Sequence, residues 1–232
     1  MLSLRFNIFS KKNKIKMKKY QILFMSVPLI CALLSEMGYG SNYKYAVSFF
    51  CGCILCLTYG KKITKDVWII VLAFMFSILG GWFLSNRRGM EIRFIYGILY
   101  YFIAHMGFLW FSLKNGKINK WILCGTTTAY LIFYVFMLNP SIESKVLTLA
   151  VLFYLLISCI SIAAAIGNNM PTVSKWLFAS GIFSLLFSDT LIAFYEFLGH
   201  QDLYLLLMMP TYFLSHILIT FALLPAIRYS KN

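Results

Sequence analysis

Three side chains that can carry a proton lie inside long apolar runs of this sequence. They are Asp189 in "SLLFSDTLIAFYEF", His105 in "YYFIAHMGFLW" and His216 in "TYFLSHILI". A carboxyl and an imidazole can act as acid and base on one substrate. Ser188 and Tyr212 are hydroxyls available as hydrogen-bond donors beside them. An ionisable group near the centre of a membrane helix costs about 2.5–3.5 kcal/mol on insertion scales, so it faces the bundle interior or a wet cavity. Two roles therefore fit Asp189: a buried acid that stabilises helix packing, or a proton-transfer group. For His105 and His216 the choices are packing, contact with a lipid head group, or proton relay. Glu36 and Glu196 lie nearer the ends of their runs, where a solvated role is open to them. A metal site would need a third ligand that these residues do not supply, so neither a metal nor a cofactor is expected. Cys51, Cys53 and Cys56 are spaced i, i+2, i+5, which spreads them around a helix. They read as apolar fillers rather than as zinc ligands.

The elements that must position these groups follow from composition. The 232 residues are 61% hydrophobic and 12% charged, and mean hydropathy is +0.79, whereas a soluble domain carries about 25% charged residues. The chain reads as an all-α polytopic membrane protein, a bundle of about eight transmembrane helices. The apolar segments fall at 20–38, 43–60, 66–85, 92–113, 119–138, 145–167, 174–197 and 203–226, each approaching the roughly 20 residues that cross the hydrocarbon. Residues 1–19 form a basic segment and 20–228 the membrane domain. The basic start could also open a signal peptide, but no clear small-residue cleavage site follows and the apolar run leads into further spans. The net charge of +14 does not point to nucleic acid, because the Lys and Arg sit between apolar runs and at the chain ends, where they set topology.

With the N-terminus inside, the inner segments hold the basic start, Lys61, Lys62, Lys65, Lys114, Lys117, Lys120, Lys175, Arg228 and Lys231. The outer segments hold Lys44, Arg87, Arg88, Arg93 and Lys145. This asymmetry predicts both termini in the cytoplasm of a bacterial inner-membrane protein. Asp189 is then about 15 residues into its span, roughly 22 Å along the helix, in the outer half of the membrane. His105 and His216 come near mid-membrane. The 22 Phe and 15 Tyr suit packing, lipid contact, or the lining of an acyl-chain pocket.

Three stretches, in this order and spacing, carry a resemblance. "FIYGILYYFIAHMGFLWF" (Phe94–Phe111), "GIFSLLFSDTLIAFYEF" (Gly181–Phe197) and "TYFLSHILI" (Thr211–Ile219) are similar to patterns of the YhhN family, eight-span membrane proteins that include lysoplasmalogenases. Lys44 matches a lysine that opens the family's second span. In "SILGGWFLSN" (Ser77–Asn86) Gly80 matches a glycine, but Gly81 occupies a position where the family commonly carries an aspartate.

The resemblance implies hydrolysis of the vinyl-ether bond of a lysoplasmalogen to a fatty aldehyde and a glycerophospho-alcohol. The expected partners are a lysophospholipid substrate and membrane lipids. Asp189, His105 and His216 are the expected catalytic residues, and Ser188, Tyr212, Lys44 and Gly81 the expected substrate-binding positions. With one carboxylate missing at Gly81, a second class stays open: a non-catalytic relative that binds or moves a lipid. A third, a proton-coupled transporter, would want inverted repeats with matching helix breaks. Pro210 is one such break, with no counterpart in the first half of the chain.

Overall fold

The computed structural model describes residues 20, 23–40, 42–60, 63–199 and 201–224. Among them stand eight α-helices and no strand. They are α1 (Ser26–Glu36), α2 (Asn42–Tyr59), α3 (Lys65–Ser85), α4 (Glu91–Lys114), α5 (Lys120–Phe133), α6 (Lys145–Ile166), α7 (Thr172–Ala193) and α8 (Asp202–Leu223). The basic segment 1–19 and the final residues of the expected membrane domain lie outside the described residues.

Six of the helices are long and apolar enough to cross a membrane: α3, α4, α5 with its extension to Ser141, α6, α7 with its extension to Leu198, and α8. The two expected spans not among them are the first two, for different reasons. Helix α1 has 11 residues, and the residues that precede it in the expected span 20–38 lie partly outside the described ones. Helix α2 has 18 residues, but Asn42, Lys44 and its three tyrosines make it too polar.

The polarity of the molecule is inverted relative to a soluble domain. Leu57, Trp110, Trp121 and Phe136 face outward, while the buried polar residues are Ser, Thr, His and one Asn. That pattern suits a surface solvated by hydrocarbon, inside which polar groups must find partners. Helices α7 and α8 pack along most of their length, as do α3 and α4. Helix α4 also packs on α6, α6 on α7, and α2 on both α3 and α8. These six make a closed ring, with α1 against α2 and α5 against α6. None of the residues of Lys120–Phe133 is buried.

Small residues allow the two longest crossings. A Cβ on Gly181 would come 2.9 Å from the Ser215 carbonyl oxygen, so α7 lies against the α8 backbone. A Cβ on Gly80 would come 3.1 Å from the Gly97 carbonyl oxygen where α3 crosses α4. Without a hydrophobic force between helices in lipid, such close backbone approach is a main source of helix association.

At one end, the α4–α5 and α6–α7 connections pair through Lys117 N–H to the Gly167 carbonyl (3.1 Å) and Asn169 N–H to the Asn115 carbonyl (2.8 Å). Lys114 Nζ also reaches Asp66 Oδ1 at 2.5 Å, joining the end of α4 to the start of α3. At the opposite end, π-helical turns at Tyr134–Leu138 and Phe194–Leu198 widen the last turns of α5 and α7. Such turns re-aim side chains and are frequent at functional sites. The second carries Glu196.

Candidate functional site

Asp189, near the end of α7, is met by one residue from each of two other helices. Tyr154 on α6 donates its hydroxyl to Asp189 Oδ2 at 2.5 Å. His105 on α4 places Nε2 3.3 Å from the same oxygen. The side chains of His105 and Asp189 are 0% and 7% exposed. The imidazole and the Tyr154 ring stand edge to face, with centroids 5.4 Å apart. Nδ1 of His105 is buried and has no hydrogen-bond partner among the described residues. A bare lone pair is less costly there than an unsatisfied N–H, which favours Nε2 as the nitrogen that donates to Asp189 Oδ2. Thr190 is occupied elsewhere: its Oγ1 pairs with the Tyr130 hydroxyl at 2.8 Å.

This cluster borders a narrow apolar cavity of about 50 Å³. Asp189, Tyr154, Tyr130 and Thr190 line it together with Leu84, Phe94, Leu155, Leu186 and Phe197. Beside it lies a wider cavity of about 340 Å³. Leu84, Phe94, Tyr101 and Ile192 border both, so they form the partition. The charged residues lining the wider cavity are Lys44, Arg87 and Glu196. Arg87 and Glu196 form an ion pair, Arg87 also lies over the Phe94 ring, and Lys44 Nζ reaches Ser85 Oγ at 2.8 Å.

The sequence-expected residues divide between these places. Asp189 and His105 come together. Lys44, Gly81, Ser188 and Tyr212 all line the wider cavity. Ser188 does not serve Asp189, because its hydroxyl donates to the Met208 carbonyl at 3.0 Å, on the stretch of α8 that leads to Pro210. Tyr212 pairs with Ser48 at 3.3 Å. His216 lies apart from Asp189. Its Nδ1 meets Ser215 Oγ and the Tyr212 carbonyl, both at 3.1 Å. Its ring packs on Phe74 and Tyr212 at 4.8 and 4.5 Å, and it borders neither cavity. Gly81 borders the wider cavity with the Tyr101 hydroxyl against it: a Cβ at Gly81 would come 3.2 Å from that oxygen.

Four contributors escaped the sequence reading. Tyr101 sits in a tyrosine-rich span where nothing marks one ring over its neighbours, and Tyr154, the one tyrosine of its span, carries no local sign that ties it to Asp189. Arg87 reads in the sequence as one of the outer-segment charges, and Glu196 as an end-of-span acid. Their pairing was the only signal, and it needs the fold, since they lie 109 positions apart. Among the described residues, no group of three or more His, Cys, Asp or Glu is placed to hold a metal ion.

No curated protein and no solved structure matches the chain. The model of the YhhN family matches residues 23–223, which take in every helix and both cavities described above. The chain belongs to the YhhN family.

Proposed function

We propose that this protein is a lysoplasmalogenase-like membrane hydrolase, which cleaves the vinyl-ether bond of a lysoplasmalogen to a fatty aldehyde and a glycerophospho-alcohol. One observation carries the reading: a carboxyl held by Tyr154 and His105 lines an apolar cavity that adjoins a wider, charge-lined one. Such a pair suits an amphiphile, with its chain in the narrow cavity and its phosphate-bearing head near Lys44 and Arg87.

The chemistry needs one proton donor that then acts as a base. In its protonated form Asp189 gives the proton on Oδ1 to the alkenyl carbon one position away from the ether-bearing carbon. The C=C electron pair forms the new C–H bond and leaves an oxocarbenium ion, which the carboxylate stabilises. Water adds to the cationic carbon and returns a proton to Asp189. The hemiacetal then collapses: its hydroxyl loses a proton as C=O forms, the C–O bond to glycerol breaks, and the glycerol oxygen takes a proton. His105 and Tyr154 hold Oδ2, leaving Oδ1 for the substrate. His216 has a packing role in this scheme.

The charge asymmetry supports an inner-membrane location with both termini cytoplasmic. This places Asp189 and both cavities toward the outer leaflet.

A second reading is favoured by Gly81. With no second carboxylate there and the Tyr101 hydroxyl against it, the protein would bind or move the lipid without cleaving it. The deciding experiment incubates purified protein in detergent with lysoplasmenylethanolamine and measures aldehyde. Release that Asp189→Asn abolishes is the expected result. Absence of aldehyde from the wild type, with the lipid still bound, establishes the second reading instead.

A further inference from the structure

Tyr101 stands in the wall that the two cavities share. It is 6% exposed and belongs to the partition, whose other members, Leu84, Phe94 and Ile192, are apolar. Its hydroxyl is therefore the partition's polar side-chain group. The backbone around it is shaped to admit the ring. A Cβ on Gly80 would lie 3.0 Å from the Tyr101 ring, and one on Gly81 would lie 3.2 Å from its oxygen. The Tyr101 and Tyr212 rings stand edge to face with centroids 6.2 Å apart, and the Tyr212 hydroxyl meets that of Ser48 at 3.3 Å. The Tyr101 hydroxyl carries one proton to donate, in the wall that the two cavities share.

We propose that Tyr101 is a substrate-contacting residue that donates a hydrogen bond to the oxygen linking the hydrocarbon chain of a single-chain lipid to its glycerol head. This rests on the reading that the cavity pair holds such a lipid. A chain in the apolar cavity and a head beside Lys44 and Arg87 must cross the partition. The linking oxygen is the polar atom that falls at the crossing. A buried acceptor left there without a donor would cost binding, so the contact discriminates by linkage as well as by chain. Helix α5, none of whose residues is buried, borders the narrow cavity through Tyr130 and Phe133.

The test compares two non-cleavable ligands on the purified full-length protein in detergent. One is a saturated-ether lysophosphoethanolamine; the other is the same molecule with a methylene in place of the ether oxygen. Wild type is expected to bind the ether about 3- to 10-fold more tightly, the range for one hydrogen bond. Tyr101→Phe is expected to bind both alike, with affinity for the methylene analogue unchanged. A structural role would weaken both ligands together, so the ratio isolates the contact. Equal binding of the two ligands by wild type overturns the proposal, as does a preference that survives in Tyr101→Phe. Thermal melting checks that the variant folds. If it does not, Gly81→Ala, whose added Cβ would come 3.2 Å from the Tyr101 oxygen and so displaces it, decides by the same ratio, and a fully retained preference counts against the contact. Lack of aldehyde release with this discrimination intact sinks the hydrolase reading alone; failure to bind either lipid sinks both.

Discussion

At the residue scale, the two intramembrane histidines separate by their neighbours. His105 points Nε2 at Asp189, whereas His216 is packed against Phe74 and Tyr212 and hydrogen-bonded on its own helix through Nδ1, its buried Nε2 having no partner among the described residues. A hydrogen bond that positions a catalytic carboxyl is worth about 1.5–3 kcal/mol. His105→Ala is therefore expected to lower aldehyde turnover by about 10- to 100-fold. His216→Gln is expected to keep kcat near wild type and to lower the melting temperature, because it disturbs a buried ring. Steady-state aldehyde release and a melt on each variant check this, and equal loss of kcat in both would remove the distinction. Tyr154→Phe deletes a hydrogen bond to a carboxylate, an interaction worth about 1.5–3 kcal/mol. Turnover is expected to fall by 10-fold or more while the fold is retained, with kcat and KM measured separately.

Among the elements, the helix pairs with the longest contact are those held by glycine. On α7, Gly181 has the Ser215 carbonyl 2.9 Å from where a Cβ would sit and Ile219 N at 3.1 Å. Both are backbone atoms, which cannot swing aside as a side chain can. Gly181→Ala should force α7 and α8 apart, and overpacking of this kind costs about 1–3 kcal/mol. A lower melting temperature in detergent is the expected outcome, with a milder effect for Gly125→Ala, where nothing stands within 4 Å of the added carbon. Equal melting temperatures for the two variants would contradict the close-packed crossing. The spans were legible as elements because each is an apolar run closed by Gly, Asn, Pro or charge. The π-helical turns at Tyr134–Leu138 and Phe194–Leu198 were not. An extra residue in one turn leaves hydropathy unchanged, and only neighbouring helices decide where it is accommodated.

For the whole molecule, charge and fold agree on which connections share a side. Asp66, Lys114, Lys117 and Gly167 meet at one end of the bundle. Lys44, Ser85, Arg87 and Glu196 meet at the other. The proposed topology is expected to leave a single cysteine at Lys117, in a cysteine-free background, closed to a membrane-impermeant maleimide in intact cells. One at Arg88 should label. Labelling of Lys117 but not Arg88 would invert the bundle and put the site on the cytoplasmic side.

Sequence alone determined the all-helical membrane class and the positions of most spans, and it singled out Asp189 and His105 as ionisable groups at membrane depth. These rest on residue type and hydropathy, which are local properties, whereas Lys44 and Gly81 were named only through the family resemblance. Only the tertiary structure decided that Tyr154 completes the Asp189 site, that His216 lies outside it, that Arg87 pairs with Glu196, and that Tyr101 occupies the space at Gly81. These are contacts between helices distant in sequence. They depend on helix rotation and crossing, which the close glycine contacts and the packing of side chains set, and an apolar run encodes neither.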